Sequence, residues 1–183
     1  MPRNIEIKAR IASVEALLPR ARALADGEPE LIEQDDTFFR VPQGRLKLRE
    51  FCDGRAELIQ YQRADEDKAR ASDYLVVPVP EAAALRQALA RACGEHGRVR
   101  KRRWLLRAGP TRIHLDRVEG LGDFIELEVV LRPGQTDAEG QAVARELLAA
   151  LGLAQAPLEA GAYRDLLAAQ APAGHSGPGS GAG

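Results

Sequence analysis

Ionisable residues recur at every second position in several short stretches of this chain, and they form two sets. Glu6, Asp116, Glu126 and Glu128 are acidic; Lys8, Arg45, Lys47, Arg49, Lys101, Arg103, Arg107 and Arg112 are basic. Side chains of a β-strand alternate between its faces with period two, so each stretch carries charge on one face and aliphatic residues on the other. If those faces look inward across an enclosed sheet, the chemistry is specific. Cations grip a polyanion, and carboxylates hold a hard divalent cation that bridges to it. Oxygen-only ligation suits Mg²⁺ or Mn²⁺. A triphosphate is the natural guest, because several cations and a metal are needed to neutralise it. Half-buried strands with their charges in water account for each stretch taken singly. No glycine-rich phosphate loop is present, so nucleotide capture through a helix N-terminus is not supported.

The sharpest alternation lies in residues 111–130, read as strand, turn, strand. Ile113 and Leu115 share a face opposite Arg112, His114 and Asp116. Ile125, Leu127 and Val129 share a face opposite Phe124, Glu126 and Glu128. Residues 4–11 repeat the pattern, with Ile5 and Ile7 against Asn4, Glu6, Lys8 and Arg10. Residues 31–41 and 45–49 read as strands around the turn signal Pro42-Gln43-Gly44. Three cations on one face of 45–49 repel one another, which points to an anionic partner. Asp53-Gly54 turns the chain into a return strand over 56–63. Residues 74–79 and 99–107 complete the set. In the second of these, Lys101, Arg103 and Arg107 stand opposite Trp104 and Leu106.

Helices fill the gaps. Ser13 caps one running to about residue 25, with Pro19 expected to kink it or delay its start. Pro80 suits the first position of a second helix ending near Gly94 and Gly97. Thr136 and Glu139 form a capping box for a third, to about residue 151. Residues 163–167 start or sit in a short final one. About eight mostly antiparallel strands with three or four helices make an α+β chain. Residues 1–170 read as one domain, and 171–183 as a low-complexity, disordered tail.

Composition narrows the classes of function. The formal net charge is −1 although 29% of residues are charged, so no global field draws the chain to nucleic acid or an anionic membrane. The basic run 99–107 with its single Trp would be a nucleic-acid candidate, but strand alternation divides its charges between two faces. Cys52 and Cys93 lack partner motifs, and reduced thiols fit a cytoplasmic protein. No apolar run is long enough to span a bilayer. Outer helices are candidate surfaces for a homodimer, though none stands out.

The ordered motifs resemble a known family. Asn4-Ile5-Glu6-Ile7-Lys8 is similar to the ExExK signature of the CYTH superfamily, the triphosphate tunnel metalloenzymes. Gln34-Asp35-Asp36-Thr37-Phe38-Phe39 resembles QxDxYF, Arg45-Leu46-Lys47-Leu48-Arg49 resembles LRIR, and Lys101-Arg102-Arg103 resembles KxR. Leu115 through Glu128 follows LDxVxxLGxFxExE closely, and Ala162-Tyr163-Arg164-Asp165-Leu166-Leu167 resembles SYxDLL. No one motif is specific; the ordered set, covering nearly all the chain before the tail, is. The resemblance implies a closed antiparallel eight-stranded β-barrel, a triphosphate tunnel, with helices packed outside. It implies metal ligation by Glu6, Asp116, Glu126 and Glu128, and phosphate binding by Lys8, Arg45, Lys47, Arg49, Lys101 and Arg103. Lys8 and Glu126 are the implied catalytic pair.

Members of that family include class IV adenylyl cyclases, thiamine triphosphatases and inorganic or RNA triphosphatases. The expected substrate is thus ATP, thiamine triphosphate or tripolyphosphate. Hydrolysis stands slightly ahead of cyclisation, because it needs no base pocket and the sequence identifies none. A non-catalytic polyphosphate or nucleotide binder is the third reading. Two departures keep it open: Asn4 stands where the motif has its first Glu, and Gln62 where a lysine commonly follows an aromatic.

Overall fold

Every alternating stretch in the described part of the chain, residues 4–61 and 74–170 of a computed structural model, is a strand. In chain order the elements are β1 (Asn4–Arg10), α1 (Val14–Leu24), β2 (Glu30–Phe39), β3 (Arg45–Phe51), β4 (Ala56–Tyr61) and β5 (Tyr74–Pro78). They continue with α2 (Ala82–Cys93), β6 (Glu95–Ala108), β7 (Thr111–Val118), β8 (Gly122–Val130), α3 (Asp137–Ala150) and α4 (Tyr163–Gln170). The strands form one eight-stranded sheet in the order β1-β8-β7-β6-β2-β3-β4-β5, with every neighbouring pair antiparallel. Among the described residues no ladder joins β1 to β5, so these two strands are the ends of the sheet. No helix of the described residues is long and apolar enough to cross a membrane.

The aliphatic face of each strand is the face that packs. Ala9, Leu106, Ile113, Leu115, Ile125 and Leu127 meet Val14, Leu17 and Ala21 of α1 and Leu148 of α3. Ile5 and Val129 meet Ala144 of α3 beside them. Under α2, Phe39, Leu48 and Ala56 meet Leu85 and Leu89. Three helices therefore cover one face of the sheet. That leaves the charged side chains on the other.

α4 departs from the expectation that all helices lie outside. Its Tyr163, Leu166 and Leu167 pack with Phe38, Val99, Val118 and Phe124, which belong to the charged face. At that end the face is apolar, and a helix carrying a Tyr and two Leu covers it. Gly97 permits the approach: a Cβ there would stand 3.3 Å from Arg164 Cγ, on a backbone with φ +133°. The sequence reading placed Gly97 at the end of a helix. In the structure α2 ends at Gly94, and Gly97 sits within β6, beside the register shift at Phe38 and Phe39. Pro80 lies two residues before the first helical residue rather than at it.

α1 starts where expected. Ser13 Oγ accepts from the Ala16 N–H at 3.1 Å, and Asp123 accepts from the Val14 N–H at 2.8 Å. Two caps at one helix start satisfy donors that would otherwise be orphaned. The helix runs on through Pro19 without a delayed start. Burial of Val14, Leu17 and Ala21 offsets the hydrogen bond that the proline forgoes.

The core and the sheet end should respond differently to truncation. Leu127 is 0% exposed and Leu75 of β5 is 68% exposed. Leu127→Ala is expected to cost about 2–5 kcal/mol in urea unfolding, and Leu75→Ala no more than about 0.5 kcal/mol.

Candidate functional site

Register decides which charged groups meet. Lys8 stands opposite Glu126 and Glu6 opposite Glu128 on β1 and β8. Across β7 and β8, Glu126 pairs with His114 and Glu128 with Arg112. Arg103 of β6 faces Asp116, and Lys101 faces Gln34. Asp36 of β2 faces Arg49 of β3, and Phe38 faces Lys47. Directly opposed residues share a face, so these side chains line one continuous surface across six strands.

Three carboxylates anchor it. Asp36 takes Lys47 Nζ at 2.7 Å and a two-pronged Arg49, at 2.7 and 2.8 Å. Asp116 takes Arg103 through two bonds of 2.6 Å, Lys101 at 3.4 Å and the Tyr163 hydroxyl at 2.9 Å. Glu126 takes the same Arg103 at 3.1 Å, His114 Nδ1 at 3.1 Å and Lys8 at 3.6 Å. Tyr163 is the hub on the α4 side. Its ring lies 4.5 Å from Lys8 Nζ and 5.2 Å from Lys101 Nζ, a cation–π contact for each. Lys8 also donates to the Gly161 carbonyl at 3.2 Å.

Burial and these neighbours fix the protonation states. Burial alone would raise Asp36, but the Lys47 and Arg49 cations overcome it and hold the carboxyl well below its usual range. Asp116 is held down against the same penalty by Lys101 and Arg103, and Glu126 by Arg103, His114, Lys101 and Lys8. Burial lowers Lys101 to about 8, with Arg103 pushing the same way against Asp116 and Glu126. Burial also lowers Lys47 and His114. His114 is therefore neutral at neutral pH. Its bond to the ionised Glu126 assigns the proton to Nδ1, leaving Nε2 as an acceptor. Burial, with Asp116 and Glu126 nearby, raises Tyr163, so its phenol stays protonated.

Five cations, Lys8, Lys47, Arg49, Lys101 and Arg103, thus surround three carboxylates, Asp36, Asp116 and Glu126. The excess is positive and mostly out of water. Two buried polar atoms on this face, Gln34 Oε1 and Arg45 Nη1, have no hydrogen-bond partner. Buried polar groups are nearly always satisfied, and Thr37 Oγ1 and Thr111 Oγ1 on the opposite face are orphaned in the same way.

The sequence-predicted residues divide. Lys8, Lys47, Arg49, Lys101, Arg103, Asp116 and Glu126 come together as a cluster. Glu6, Glu128 and Arg112 lie at one end of it, where Glu128 accepts from Asn4 at 2.7 Å and from Arg112 at 3.1 Å. Arg45 lies near α4, bonded to Asp165 at 3.1 Å. Gln62 is outside the described residues. The sequence reading did not assign Asp36, His114 or Tyr163. Asp36 lay inside a quoted motif and His114 on the polar face of its strand, so their positions were visible and their roles were not.

Oxygen donors suit Mg²⁺ or Mn²⁺. Among the described residues, however, no three His, Cys, Asp or Glu side chains converge to hold a metal ion. The ion pairs explain it: Arg103 clamps Asp116 and Glu126, and Asn4 with Arg112 holds Glu128. Glu6 still stands opposite Glu128, with Glu126 two residues along on the same face. These carboxylates are oxygen donors, the ligand chemistry that Mg²⁺ or Mn²⁺ takes.

The chain is similar to known proteins over most of its length. A CYTH domain profile matches residues 2–163. Adenylate cyclase CyaB of Aeromonas hydrophila is 27% identical over 180 residues, covering 89% of this chain and 87% of that one. A conserved hypothetical protein from Pyrococcus furiosus superposes with a TM-score of 0.76 at 23% identity, covering 89% of this chain and 99% of the other. A Hippeastrum protein, for which a dominant triphosphatase activity is described, superposes with a TM-score of 0.66 at 14% identity, over 92% and 96% of the two chains.

Removing one buried partner tests the cluster. Asp36→Asn leaves Lys47 and Arg49 uncompensated and should cost about 3–5 kcal/mol at pH 7. The folded pKa of Asp36 is depressed, so its contribution is present above the unfolded value of 3.8 and fades as pH falls below it. Denaturant midpoints of both proteins should therefore converge progressively below pH 3.8; a gap independent of pH would show that Asp36 does not act through its charge.

Proposed function

The chain belongs to the CYTH domain family, and from that premise we propose that its charged face binds a triphosphate with Mg²⁺ or Mn²⁺ and hydrolyses it. The observation that carries this reading is the buried surplus of cations, Lys8, Lys47, Arg49, Lys101 and Arg103, around three ionised carboxylates. In the closed-tunnel form of this reading, β5 and β1 approach and the face becomes a lumen.

A phosphate chain entering this face takes over the cations. Arg49 and Arg103 offer forked donors that match phosphate oxygens as they match carboxylates. As they turn, Asp116 and Glu126 are released as ionised oxygen donors. With Glu6 and Glu128 they would hold the divalent cation, which supplies charge neutralisation at the phosphates and an oriented water. The cations that remain on the phosphate stabilise the charge that develops as the terminal bond breaks. Lys8 lies between Glu126 and the Tyr163 ring, placed to follow that charge. His114 holds Glu126 through Nδ1 and fixes the direction its other oxygen faces.

Cyclisation of ATP is the second reading, supported by the likeness to a protein named adenylate cyclase. Binding without turnover is the third, supported by Asn4, an amide in a position of the ExExK motif that carries Glu. One assay separates them. Purified protein is incubated with ATP, thiamine triphosphate or tripolyphosphate and either metal, and the products are resolved. Phosphate release supports hydrolysis, cyclic AMP with pyrophosphate supports the cyclase, and binding alone supports the third.

Two outcomes are specific to named groups. Glu126→Gln is expected to abolish metal-dependent turnover while a cooperative thermal transition persists at a lower temperature, since Arg103 and Lys8 lose a buried partner; unchanged kinetics would remove Glu126 from the site. Lys101, lowered to about 8, is partly deprotonated between pH 8 and its ordinary 10.5. A bound polyanion favours the charged form, so metal-free tripolyphosphate should take up a proton in that window. Calorimetry in buffers of different ionisation enthalpy reads this uptake, and Lys101→Arg should eliminate it.

A further inference from the structure

Beside the end of β2 and the start of β3 lies a cavity of about 280 Å³, whose lining includes Phe38, Arg40, Arg45, His96 and Arg164. Phe38 and Arg45 of its lining stand on the charged face. Phe38 carries Lys47 Nζ at 5.6 Å and the Arg164 guanidinium at 5.7 Å from its ring centre. Arg45 follows Lys47 and Arg49 at strand spacing on the same face of β3. Three guanidinium groups and a histidine therefore surround this space.

One carboxylate answers them. Asp165 accepts from Arg45 Nη2 at 3.1 Å and from Arg164. Arg45 Nη1 is buried without a hydrogen bond of good geometry, and the Tyr61 phenol is a second neighbour, besides Asp165, that acts on this guanidinium. Burial, Arg164, Arg40 and Arg45 hold His96 below its ordinary value, and Asp165 opposes them. Three guanidinium groups that share one carboxylate leave this space with an excess of positive charge, which repels a thiazolium or any other cationic group and attracts a further anion.

We infer that this cavity is an anion subsite that continues the phosphate row, so that the substrate class is an oligophosphate of four or more phosphoryl groups. The inference rests on the proposed triphosphate site, since the row must be filled for a fourth group to reach the cavity. The fourth phosphoryl group would be gripped by Arg45 Nη1, Arg164 and Arg40. A chain borne by a nucleoside and an inorganic chain share this chemistry.

Titration calorimetry without metal tests it, using tripolyphosphate, tetrapolyphosphate, adenosine 5′-tetraphosphate, ATP and thiamine triphosphate. Wild-type protein should bind tetrapolyphosphate about tenfold more tightly than tripolyphosphate, the scale of one further charge-assisted grip. Thiamine triphosphate should bind more weakly than tripolyphosphate. In R40A/R164A the tetrapolyphosphate advantage should vanish while tripolyphosphate affinity is retained. If that variant unfolds, R40E alone, at an exposed side chain, should reverse the preference between the two chains. Adenosine tetraphosphate matching tetrapolyphosphate assigns a nucleoside source, and a weaker match an inorganic one. Equal wild-type affinity for three and four phosphates overturns the subsite, as does ATP binding above tetrapolyphosphate, which would place a base in the cavity. No binding of tripolyphosphate at all is a different result: it removes the proposed function, and the subsite with it.

Discussion

Charge removed from water must find charge, and that constraint organises this chain more than any single contact. An unpaired ion in the interior costs several kcal/mol even after relaxation. Asp36, Asp116 and Glu126 are nearly sealed from solvent, and each is met by at least two cations or a cation and a neutral donor. Arg103 does most: it serves Asp116 and Glu126 together, two groups that repel one another. The arrangement is costly as a way to stabilise a fold, since well-packed aliphatic residues of similar volume often do as well. Under the proposed function its use is exchange: each cation–carboxylate pair would separate as a phosphate takes the cation and a hard metal takes the carboxylate, so that no charge is left alone at any stage.

Exchange of partners requires a frame that does not itself move. The opposite face of the sheet provides it. Ile113, Leu115 and Leu127, which alternate with His114 and Asp116 or with Glu126 and Glu128, are fully buried under helices. A one-residue slip of β7 or β8 would bring Ile113 or Leu127 into the charged cluster and carboxylates beneath α1. Register is thus enforced from the apolar side and used on the polar side. α4 adds a second restraint, since Tyr163 ties a distant part of the chain to Asp116 and packs edge-on against Phe124 at 5.0 Å.

The local features of this arrangement were legible before any coordinates. Period-two alternation located β1, β3, β4, β6, β7 and β8, because a strand that buries one face must write that fact into every second residue, whereas β2 and β5 were legible from their β-favouring residues. The capping box at Thr136 and the Ser13 cap are local signals, and both helices begin there. What escaped is long-range. Nothing near Asp36 in sequence says that Lys47 and Arg49 will enclose it; that follows from the β2–β3 register. Tyr163 lies 47 residues from Asp116, and only the path of α4 brings them together. β6 extends four residues earlier than its pattern suggested, because Glu95 to Arg98 pair with β2 although Gly97 interrupts their alternation. Arg107 and Arg112 lie opposite one another on that face, and Arg112 is half-exposed at the rim beside Glu128.

Asn4 shows how one departure from a motif redistributes the balance. A glutamate at this position would sit diagonal to Glu128, and beside Glu6, in a corner already rich in carboxylate. The amide instead donates to Glu128 at 2.7 Å. It removes one negative charge and lends a neutral donor to another. Arg112 gives the same carboxylate its cation. The corner around Glu6 and Glu128 is thereby poorer in anionic groups, while the cations of β3 and β6 are untouched. Weakening one pole of a two-sign surface raises the relative weight of the other. In the proposed function this biases the face toward gripping a phosphate chain by its oxygens, with correspondingly fewer carboxylates left to grip a metal.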